Sequence, residues 1–307
     1  MLILNIKDLL TVSDLNSVEI NKLLDLAKDI KQNWLNYTKT LEHMRLGLLF
    51  ENPSTRTRVS FEIGMKELGG HSVFLKSEEM QLNRGESLID TVKTLERYVD
   101  YLTIRTNNHS TLEIFAENSS IPIINALSDL YHPCQALSDI FTMNEMKKEV
   151  NKIAYIGDGN NVCNSLMLIS SMLNLNLVVA TPKNHEPIDD IKEKCKNIPI
   201  INDPKEAARD ADVIYTDTWQ SMHEKDQHKK NEDFKEFQIN SELVSLAKDD
   251  YMFMHCLPAY RSKEVTSEVI DSSNSIVYNQ AENRLHVQKA ILIGLKKKKF
   301  RGYKVWF

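Results

Sequence analysis

The run at positions 50–58, Phe-Glu-Asn-Pro-Ser-Thr-Arg-Thr-Arg, closes an apolar stretch and opens a helical pattern. The first backbone N–H groups of a helix lack partners and carry partial positive charge. Ser54, Thr55 and Thr57 add hydroxyl groups there, and Arg56 adds a guanidinium suited to phosphate. One Ser or Thr could simply cap the helix, but three hydroxyls among two arginines exceed that need. The run predicts an oxyanion site.

Two further polar clusters could act on a carbonyl group. Arg105 follows an apolar run, and His132 and Gln135 lie within one turn of each other where Pro133 can start a helix. Arginine, histidine and glutamine can together donate hydrogen bonds to a carbonyl oxygen that gains negative charge. This set indicates acyl-type transfer.

The run at 157–164, Gly-Asp-Gly-Asn-Asn-Val-Cys-Asn, resembles a dinucleotide-binding fingerprint, which would indicate a nicotinamide-dependent dehydrogenase. Val162 occupies the position of the third glycine, however, and the next apolar run, which ends at Ala180, lacks the acid that would hold a ribose. The asparagines are instead expected to offer amide groups to a polar ligand.

Two reactive side chains each follow an apolar run. Asp217 could hold a cationic amine, and Cys256 could be either a nucleophile or a small buried thiol. Between them, Trp219–Gln238 mixes charges of both signs without an apolar stripe. This stretch is either a solvated surface segment or a mobile lid, and it could be both.

The elements that must position these residues alternate between short apolar runs and helical patterns, which predicts parallel sheets covered by helices. A long helix, about Cys134–Lys148, separates two such series. We therefore expect an α/β fold of two doubly wound parallel-sheet domains linked by long helices, with ligands at the carboxyl ends of the strands. A last helix is predicted from about Glu282 to Lys297. The expected strands are Arg45–Phe50, Ser72–Leu75, Asp100–Thr106, Pro122–Ala126, Ile153–Ile156, Asn176–Ala180, Pro199–Ile201, Val213–Thr216, Met252–Cys256 and Ile276–Tyr278.

The composition narrows the class of protein. With 38 basic and 43 acidic side chains among 307 residues, the net charge of −5 gives no reason to expect a nucleic-acid or membrane partner. No apolar run approaches the ~20 residues needed to span a bilayer. The four cysteines are far apart, without zinc-ligand or disulfide spacing. We expect a cytoplasmic protein without a metal.

Together these runs resemble the aspartate/ornithine carbamoyltransferase family over essentially the whole chain. The runs at 54–58 and 132–135, with Arg105, resemble the shared carbamoyl-phosphate site, whereas Asn161, the Asp-x-Trp-x-Ser-Met run at 217–222 and the His-Cys-Leu-Pro run at 255–258 resemble its ornithine branch. The resemblance implies an enzyme that joins carbamoyl phosphate and L-ornithine to give L-citrulline and phosphate by direct amine attack, in arginine biosynthesis and without a cofactor. One alternative is a carbamoyltransferase that acts on another amine such as putrescine. A second alternative is a catalytically silent binding protein.

The resemblance also assigns residues. Arg105, His132, Asp217 and Cys256 would be catalytic, and Asn161, Asp217, Ser221 and Met222 would bind ornithine. Gln81 would reach the site of a neighbouring subunit in a homotrimer with shared active sites. Residues 1–133, completed by a helix at about 282–307, would form the carbamoyl-phosphate domain, and 134–281 the ornithine domain. Carbamoyl phosphate would be bound by Ser54, Thr55, Arg56, Thr57, Gln81, Arg105, His132, Gln135, Cys256, Leu257 and Arg284.

Two residues depart from the family pattern. His223 stands where the family usually has glycine, and Tyr260 stands where it usually has histidine. The first departure could change how the segment after Trp219 folds, because glycine permits backbone angles that histidine resists.

Overall fold

Two parallel β-sheets organise the chain in the computed structural model, which describes residues 3–219 and 232–296 and leaves out the side chain of Asn83. One sheet has four strands and the other has five, each in a separate half of the sequence. The predicted α/β class with two parallel sheets is confirmed.

The first sheet has the strand order β2-β1-β3-β4, and all of its pairs are parallel. Its inner strands are almost continuously apolar and buried, as expected where helices cover both faces of a sheet. The edge strand β2 is the exception, since its first three residues are exposed. The strands are β1 (Arg45–Phe50), β2 (His71–Lys76), β3 (Tyr101–Arg105) and β4 (Ile123–Leu127).

Four helices accompany this sheet, and the second is the helix that the run at 50–58 opens. Asn16 and Glu19 form a reciprocal capping box at the start of the first, a signal present in the sequence. The helices are α1 (Ser17–Gln32), α2 (Arg56–Glu67), α3 (Leu88–Leu95) and α4 (His109–Asn118).

The second sheet has the order β7-β6-β5-β8-β9, again with parallel pairs only. Its strands are β5 (Ile153–Ile156), β6 (Leu177–Ala180), β7 (Ile200–Ile201), β8 (Val213–Thr216) and β9 (Met252–His255). The helices of this half are α6 (Asn161–Met172), α7 (Asp189–Lys194), α8 (Pro204–Ala208), α9 (Ser241–Val244) and α10 (Ser267–Ile270).

Two long helices run between the halves: α5 (Pro133–Met146) and α11 (Val277–Gly294). The α11 helix packs against α1, α2 and α5, and its apolar residues join the same buried core as those of α1. The predicted positions of both helices are therefore broadly right, whereas the domain boundaries at 133 and 281 stay predictions. Residues 297–307, which the resemblance includes in the C-terminal completion of the carbamoyl-phosphate domain, lie outside the described residues.

The strand predicted at Ile276–Tyr278 is wrong. A single bridge joins Ser275 to Phe253, and α11 begins directly afterwards at Val277. The buried residues Val277, Gln280 and Arg284 follow one another at helical spacing, so this segment packs as a helix and not as a strand. The helix accordingly starts five residues before the predicted Glu282.

None of the helices in the ranges 3–219 and 232–296 has the combination of length and hydropathy needed to cross a membrane.

A buried ionic cluster fastens the second sheet to the segment after α5. The carboxylate of Asp212 accepts hydrogen bonds from the backbone N–H groups of Asn151 (2.9 Å) and Lys152 (3.0 Å). It also pairs with Lys147 (2.9 Å) and Lys248 (2.8 Å). Burial opposes ionisation of Asp212, but these hydrogen bonds outweigh burial and lower the pKa of the carboxyl to about 2.

Replacing this carboxylate should destabilise the fold. Asp212→Asn leaves two half-buried lysines and two backbone N–H groups without their shared carboxylate and should lower the free energy of unfolding by about 3 kcal/mol. The contribution of Asp212 is complete above its unfolded pKa near 3.8 and is lost as pH falls towards 2, so the variant should lose less stability on acidification. Urea unfolding at several pH values measures both effects.

Asp250→Asn is the matched control, because this exposed partner of Lys147 should contribute little. Equal losses of stability in the two variants would contradict the assignment to Asp212.

Candidate functional site

The candidate site lies where the carboxyl ends of strands from both sheets meet the starts of α2 and α5. Arg105 is the last residue of β3, while Asp217 and Cys256 directly follow β8 and β9. Parallel strands present their carboxyl ends at one edge of a sheet, and loops there can carry polar side chains without interrupting the ladder. The α11 helix completes the arrangement by contributing Arg284.

The start of α2 has the features expected of an anion site. Thr55 precedes the first helical residue, Arg56, and its hydroxyl makes no capping hydrogen bond. The Ser54 hydroxyl accepts a hydrogen bond from the backbone N–H of Thr57 at 3.3 Å. A simple N-cap therefore explains Ser54 but not Thr55, which leaves the Thr55 hydroxyl available to a ligand.

Arg284 ties three helices together at this point. Its Nη1 donates to Gln135 Oε1 on α5, and its Nη2 donates to Thr57 Oγ1 on α2 at 3.2 Å. The guanidinium is buried, and its Nε has no hydrogen-bond partner within the described part of the chain. A buried guanidinium with an unused donor is suited to an anionic ligand.

Arg105 adds a second buried guanidinium whose Nε has no partner among the described residues. Burial, together with the nearby positive charges of Arg284 and Arg56, lowers the pKa of Arg105 to about 10. All three arginines still carry positive charge at neutral pH. Their mutual repulsion makes this region favourable for a ligand with more than one negative charge.

His132 is a neutral hydrogen-bonding group in this site. Its backbone N–H donates to Ser165 Oγ at 2.8 Å, and its ring Nδ1 is buried without a partner in the described structure. Burial, followed by the charges of Arg284 and Arg105, holds the pKa of His132 well below its usual value. The imidazole is therefore uncharged at neutral pH and can act as a donor or an acceptor according to its tautomer.

Cys256 and Asp217 form a hydrogen-bonded pair. The thiol donates to Asp217 Oδ1 at 2.9 Å, and Asp217 Oδ2 accepts from Asn160 Nδ2 at 2.8 Å. Burial and the Asp217 carboxylate raise the pKa of the Cys256 thiol well above its usual range. The sulfur is thus held as a thiol, which disfavours its role as a nucleophile, because nucleophilic attack needs the thiolate.

Asn160 was predicted from the sequence only as one of the asparagines of its run that could offer an amide to a ligand, and not as a partner of Asp217. It caps α6 by accepting from Val162 N–H and Cys163 N–H while its amide nitrogen holds Asp217. The predicted ligand Asn161 instead donates to the Ser128 carbonyl oxygen at 2.6 Å. An asparagine directly before a long, mostly apolar run is the signal that could have identified Asn160 as a helix cap.

The loop after β9 is shaped by a buried pair that the sequence did not reveal. Nδ1 of His255 accepts from the Leu257 N–H at 2.8 Å, and Nε2 lies 3.2 Å from Glu264 Oε1. Leu257 has a positive φ of 60°, a conformation that a leucine adopts only where its surroundings enforce it. The pair thereby holds Leu257 beside Cys256.

Other predicted residues are not brought to this cluster within the described chain. Gln81 lies exposed in a 3-10 helix, Gln81–Arg84. Ser221 and Met222, and the departure at His223, lie outside the described residues, as does most of the predicted lid. Trp219 and Phe234, which flank the undescribed stretch, stack with ring centroids 5.3 Å apart.

Three possible metal ligands lie close together: Asp217, His255 and Cys256 place their ligand atoms within 4.8 Å of one another. Both ring nitrogens of His255 already face partners, and the thiol is hydrogen-bonded to Asp217. A metal would have to displace these hydrogen bonds, so the arrangement does not favour one. The absence of a metal stays a prediction.

Comparison with known proteins gives matches over nearly the whole chain. Residues 7–145 match the carbamoyl-P binding domain, and 149–295 the Asp/Orn binding domain, of aspartate/ornithine carbamoyltransferases. An ornithine carbamoyltransferase of Bacillus thuringiensis subsp. konkukian is 48% identical over 302 residues, which cover 95% of each chain.

Solved structures give the same picture. The ornithine carbamoyltransferase from Pyrococcus furiosus superposes with a TM-score of 0.88 at 46% identity, covering 93% of this chain and 96% of that one. The anabolic ornithine carbamoyltransferase from Campylobacter jejuni gives 0.89 at 39% identity, covering 94% and 99% respectively.

The Cys256–Asp217 pair predicts how the thiol reacts. Cys256 is the one cysteine of the four that is not fully buried, so iodoacetamide should label it first. Its labelling rate should still rise above pH 9, because burial and Asp217 oppose the thiolate. Asp217→Asn removes the negative charge, which should lower the pKa and speed labelling at pH 8 by about tenfold, the effect of one pKa unit. Cys256→Ser is the control for labelling elsewhere, and a wild-type rate that levels off by pH 8 would contradict the assignment.

Proposed function

The chain belongs to the aspartate/ornithine carbamoyltransferase family, and from that premise we propose that it transfers the carbamoyl group of carbamoyl phosphate to L-ornithine, giving L-citrulline and phosphate. One observation carries the proposal. Three guanidinium groups converge at the start of α2, two of them with unused buried donors, opposite a thiol–carboxylate pair.

Carbamoyl phosphate occupies the cationic side of the site. Its phosphate binds Arg56, the hydroxyls of Ser54, Thr55 and Thr57, and the backbone at the positively polarised start of α2. The unused Nε donors of Arg105 and Arg284 point to charge-assisted hydrogen bonds with the same ligand.

The carbonyl side of the ligand requires donors that stabilise a developing oxyanion. Arg105, Thr57 and neutral His132 supply them without adding a further charge. Gln135, held through Arg284, borders the same side. Arg56 and the helix start stabilise the phosphate as it leaves.

Ornithine attacks from the opposite side, near Asp217 and Cys256. Its δ-ammonium has a pKa near ~10.4 in water, so most of the amine is protonated at neutral pH and its lone pair is unavailable. The carboxylate of Asp217 orients the amine and helps remove its proton, and the leaving phosphate accepts the final proton. The raised pKa of Cys256 fits a thiol that positions the amine, and the reaction proceeds without a covalent enzyme intermediate.

The acceptor follows from the relatives and the remaining assigned residues. The relatives named above are ornithine carbamoyltransferases, and one of the solved structures is described as anabolic. The α-amino-acid end of ornithine is assigned to Asn161, Ser221 and Met222. Arginine biosynthesis in the cytoplasm is the corresponding role.

A homotrimer with shared active sites is the proposed assembly. Val59 and Ile63 on α2 and Val73 on the edge strand β2 expose 42–50% of their surface. A cluster of exposed apolar side chains beside an open sheet edge is suited to contact with another subunit. Gln81, exposed in the same half of the chain, then reaches the neighbour's site.

The phosphate assignment predicts a large effect of Arg56. Arg56→Ala removes several charge-assisted hydrogen bonds of about 1.5–3 kcal/mol each and should reduce kcat/KM for carbamoyl phosphate at least ~100-fold. Arg58→Ala is the matched control, since Arg58 lies on the same helix but pairs with Glu62 and covers the Phe74 ring. Near-normal kinetics for Arg56→Ala in a citrulline assay would show that the phosphate binds elsewhere.

The acceptor is tested with a panel of amines at saturating carbamoyl phosphate. Ornithine should give the highest kcat/KM and putrescine a much lower one, because putrescine lacks the α-amino-acid group. Product identification by mass spectrometry separates citrulline from other carbamoylated amines. A preference for putrescine would overturn the ornithine assignment, and no product with any amine would overturn the proposed activity.

A further inference from the structure

Asp139, on α5, is a fully buried carboxylate behind the site. It accepts hydrogen bonds from three donors on three different elements, each at 2.8 Å. These donors are Gln135 Nε2 on α5, Tyr215 OH on β8 and Gln280 Nε2 on α11. An ionised carboxylate accepts hydrogen bonds only, so three convergent donors match its chemistry.

One side of this network reaches the carbamoyl-phosphate side of the site. Because the Gln135 amide nitrogen is held by Asp139, its Oε1 is turned towards Arg284 Nη1. The other terminal nitrogen of Arg284 donates to Thr57 at the start of α2. If the Gln135 amide were turned the other way, its N–H donors would face the guanidinium, which has no hydrogen-bond acceptor. Asp139 thus fixes the orientation of Arg284 through Gln135.

A second side reaches the thiol. With its amide nitrogen held by Asp139, Gln280 presents Oε1 to the backbone N–H of His255 at 3.0 Å. His255 directly precedes Cys256 and holds Leu257 through its ring. The same carboxylate therefore fixes the backbone that carries Cys256.

We propose that Asp139 is a positioning residue that aligns the two halves of the site, aiming Arg284 through Gln135 and placing Cys256 through Gln280. This inference rests on the proposed function, since the aligned groups are those assigned to the two substrates. It assigns Asp139 no contact with either substrate.

The charge balance supports this role. Burial raises the pKa of Asp139 to about 6, although the three hydrogen bonds and the positive charge of Arg284 act against that rise. The carboxylate is therefore mainly ionised at neutral pH and can accept from all its donors.

Four variants test the proposal. Asp139→Leu keeps the approximate volume but removes every acceptor, whereas Asp139→Asn can keep the network, since its oxygen can accept from both glutamines and its amide can donate to Tyr215 OH. Gln280→Leu removes the side that leads to Cys256, together with the contact of Gln280 Nε2 with Tyr215 OH at 3.1 Å, and leaves the Gln135 contact of Asp139 in place. Ser138→Ala is the matched control, because Ser138 is buried on the same helix and its hydroxyl donates to the Cys134 carbonyl oxygen within that helix.

Two readouts are measured on each full-length variant: citrulline kinetics for both substrates, and the rate at which iodoacetamide labels Cys256. Asp139→Leu should lose about 100-fold in kcat/KM for carbamoyl phosphate, the cost of a small misplacement, and should change the labelling rate. Asp139→Asn should recover most of kcat/KM, but its labelling should stay somewhat faster than that of the wild type, because the Asp139 charge contributes to the raised pKa of Cys256. Gln280→Leu should change labelling while its KM for carbamoyl phosphate stays near the wild-type value, and Ser138→Ala should change neither.

Several results would overturn the proposal. The first is a folded Asp139→Leu variant with wild-type kinetics and wild-type labelling. The second is an Asp139→Asn variant whose kcat/KM is as low as that of Asp139→Leu, which would show that charge and not hydrogen-bond geometry matters. If Asp139→Leu does not fold, Gln280→Leu decides, and unchanged labelling of Cys256 in that variant refutes the alignment. A wild type that makes no citrulline refutes the proposed function instead, and the labelling still tests the alignment of Cys256.

Discussion

The structure depends on bringing three guanidinium groups, those of Arg56, Arg105 and Arg284, to one end of helix α2. The positive charges of Arg56 and Arg284 repel that of Arg105. Burial of Arg105 adds to this effect, and together they lower its pKa to about 10. The scaffold must therefore hold them rigidly, with β3 ending in one, α2 opening with another and α11 supplying the third. A polyanionic ligand would offset this repulsion, which is the physical basis of the proposed phosphate site.

The protonation states of the other ionisable groups add no further charge beside the three arginines. His132 stays neutral and Cys256 stays a thiol, so neither adds a charge that would compete with ligand or arginine. The two carboxylates are placed differently. Asp217 lies beside the thiol, where an amine is expected, and Asp139 lies behind the site, where it organises amides. Charge is thus divided between a cationic half, where we propose that phosphate binds, and an anionic half, where we propose that the amine binds.

Much of this arrangement was predictable from the sequence, because the contributing signals are local. Residue type and position alone identify several of these groups in the sequence: the hydroxyls before Arg56, the His132–Gln135 turn, and the polar residues after β8 and β9. The links between distant elements are different. Asp139 and Gln280 are 141 positions apart in the chain, and no spacing rule reports their contact. The first turn of α11 was missed because Ile276 and Val277, both β-branched, favour a strand in isolation, whereas the fold buries Val277, Gln280 and Arg284 on a helix.

The central claim is the position of each substrate in the site. A crystal structure with a stable bisubstrate analogue, a phosphonate joined to ornithine, tests these positions directly. We expect the phosphonate to contact Ser54 to Thr57 and the guanidinium groups, with the ornithine portion beside Asp217 and Cys256. A phosphonate bound away from the start of α2, or an amino-acid portion distant from Asp217, would contradict the account.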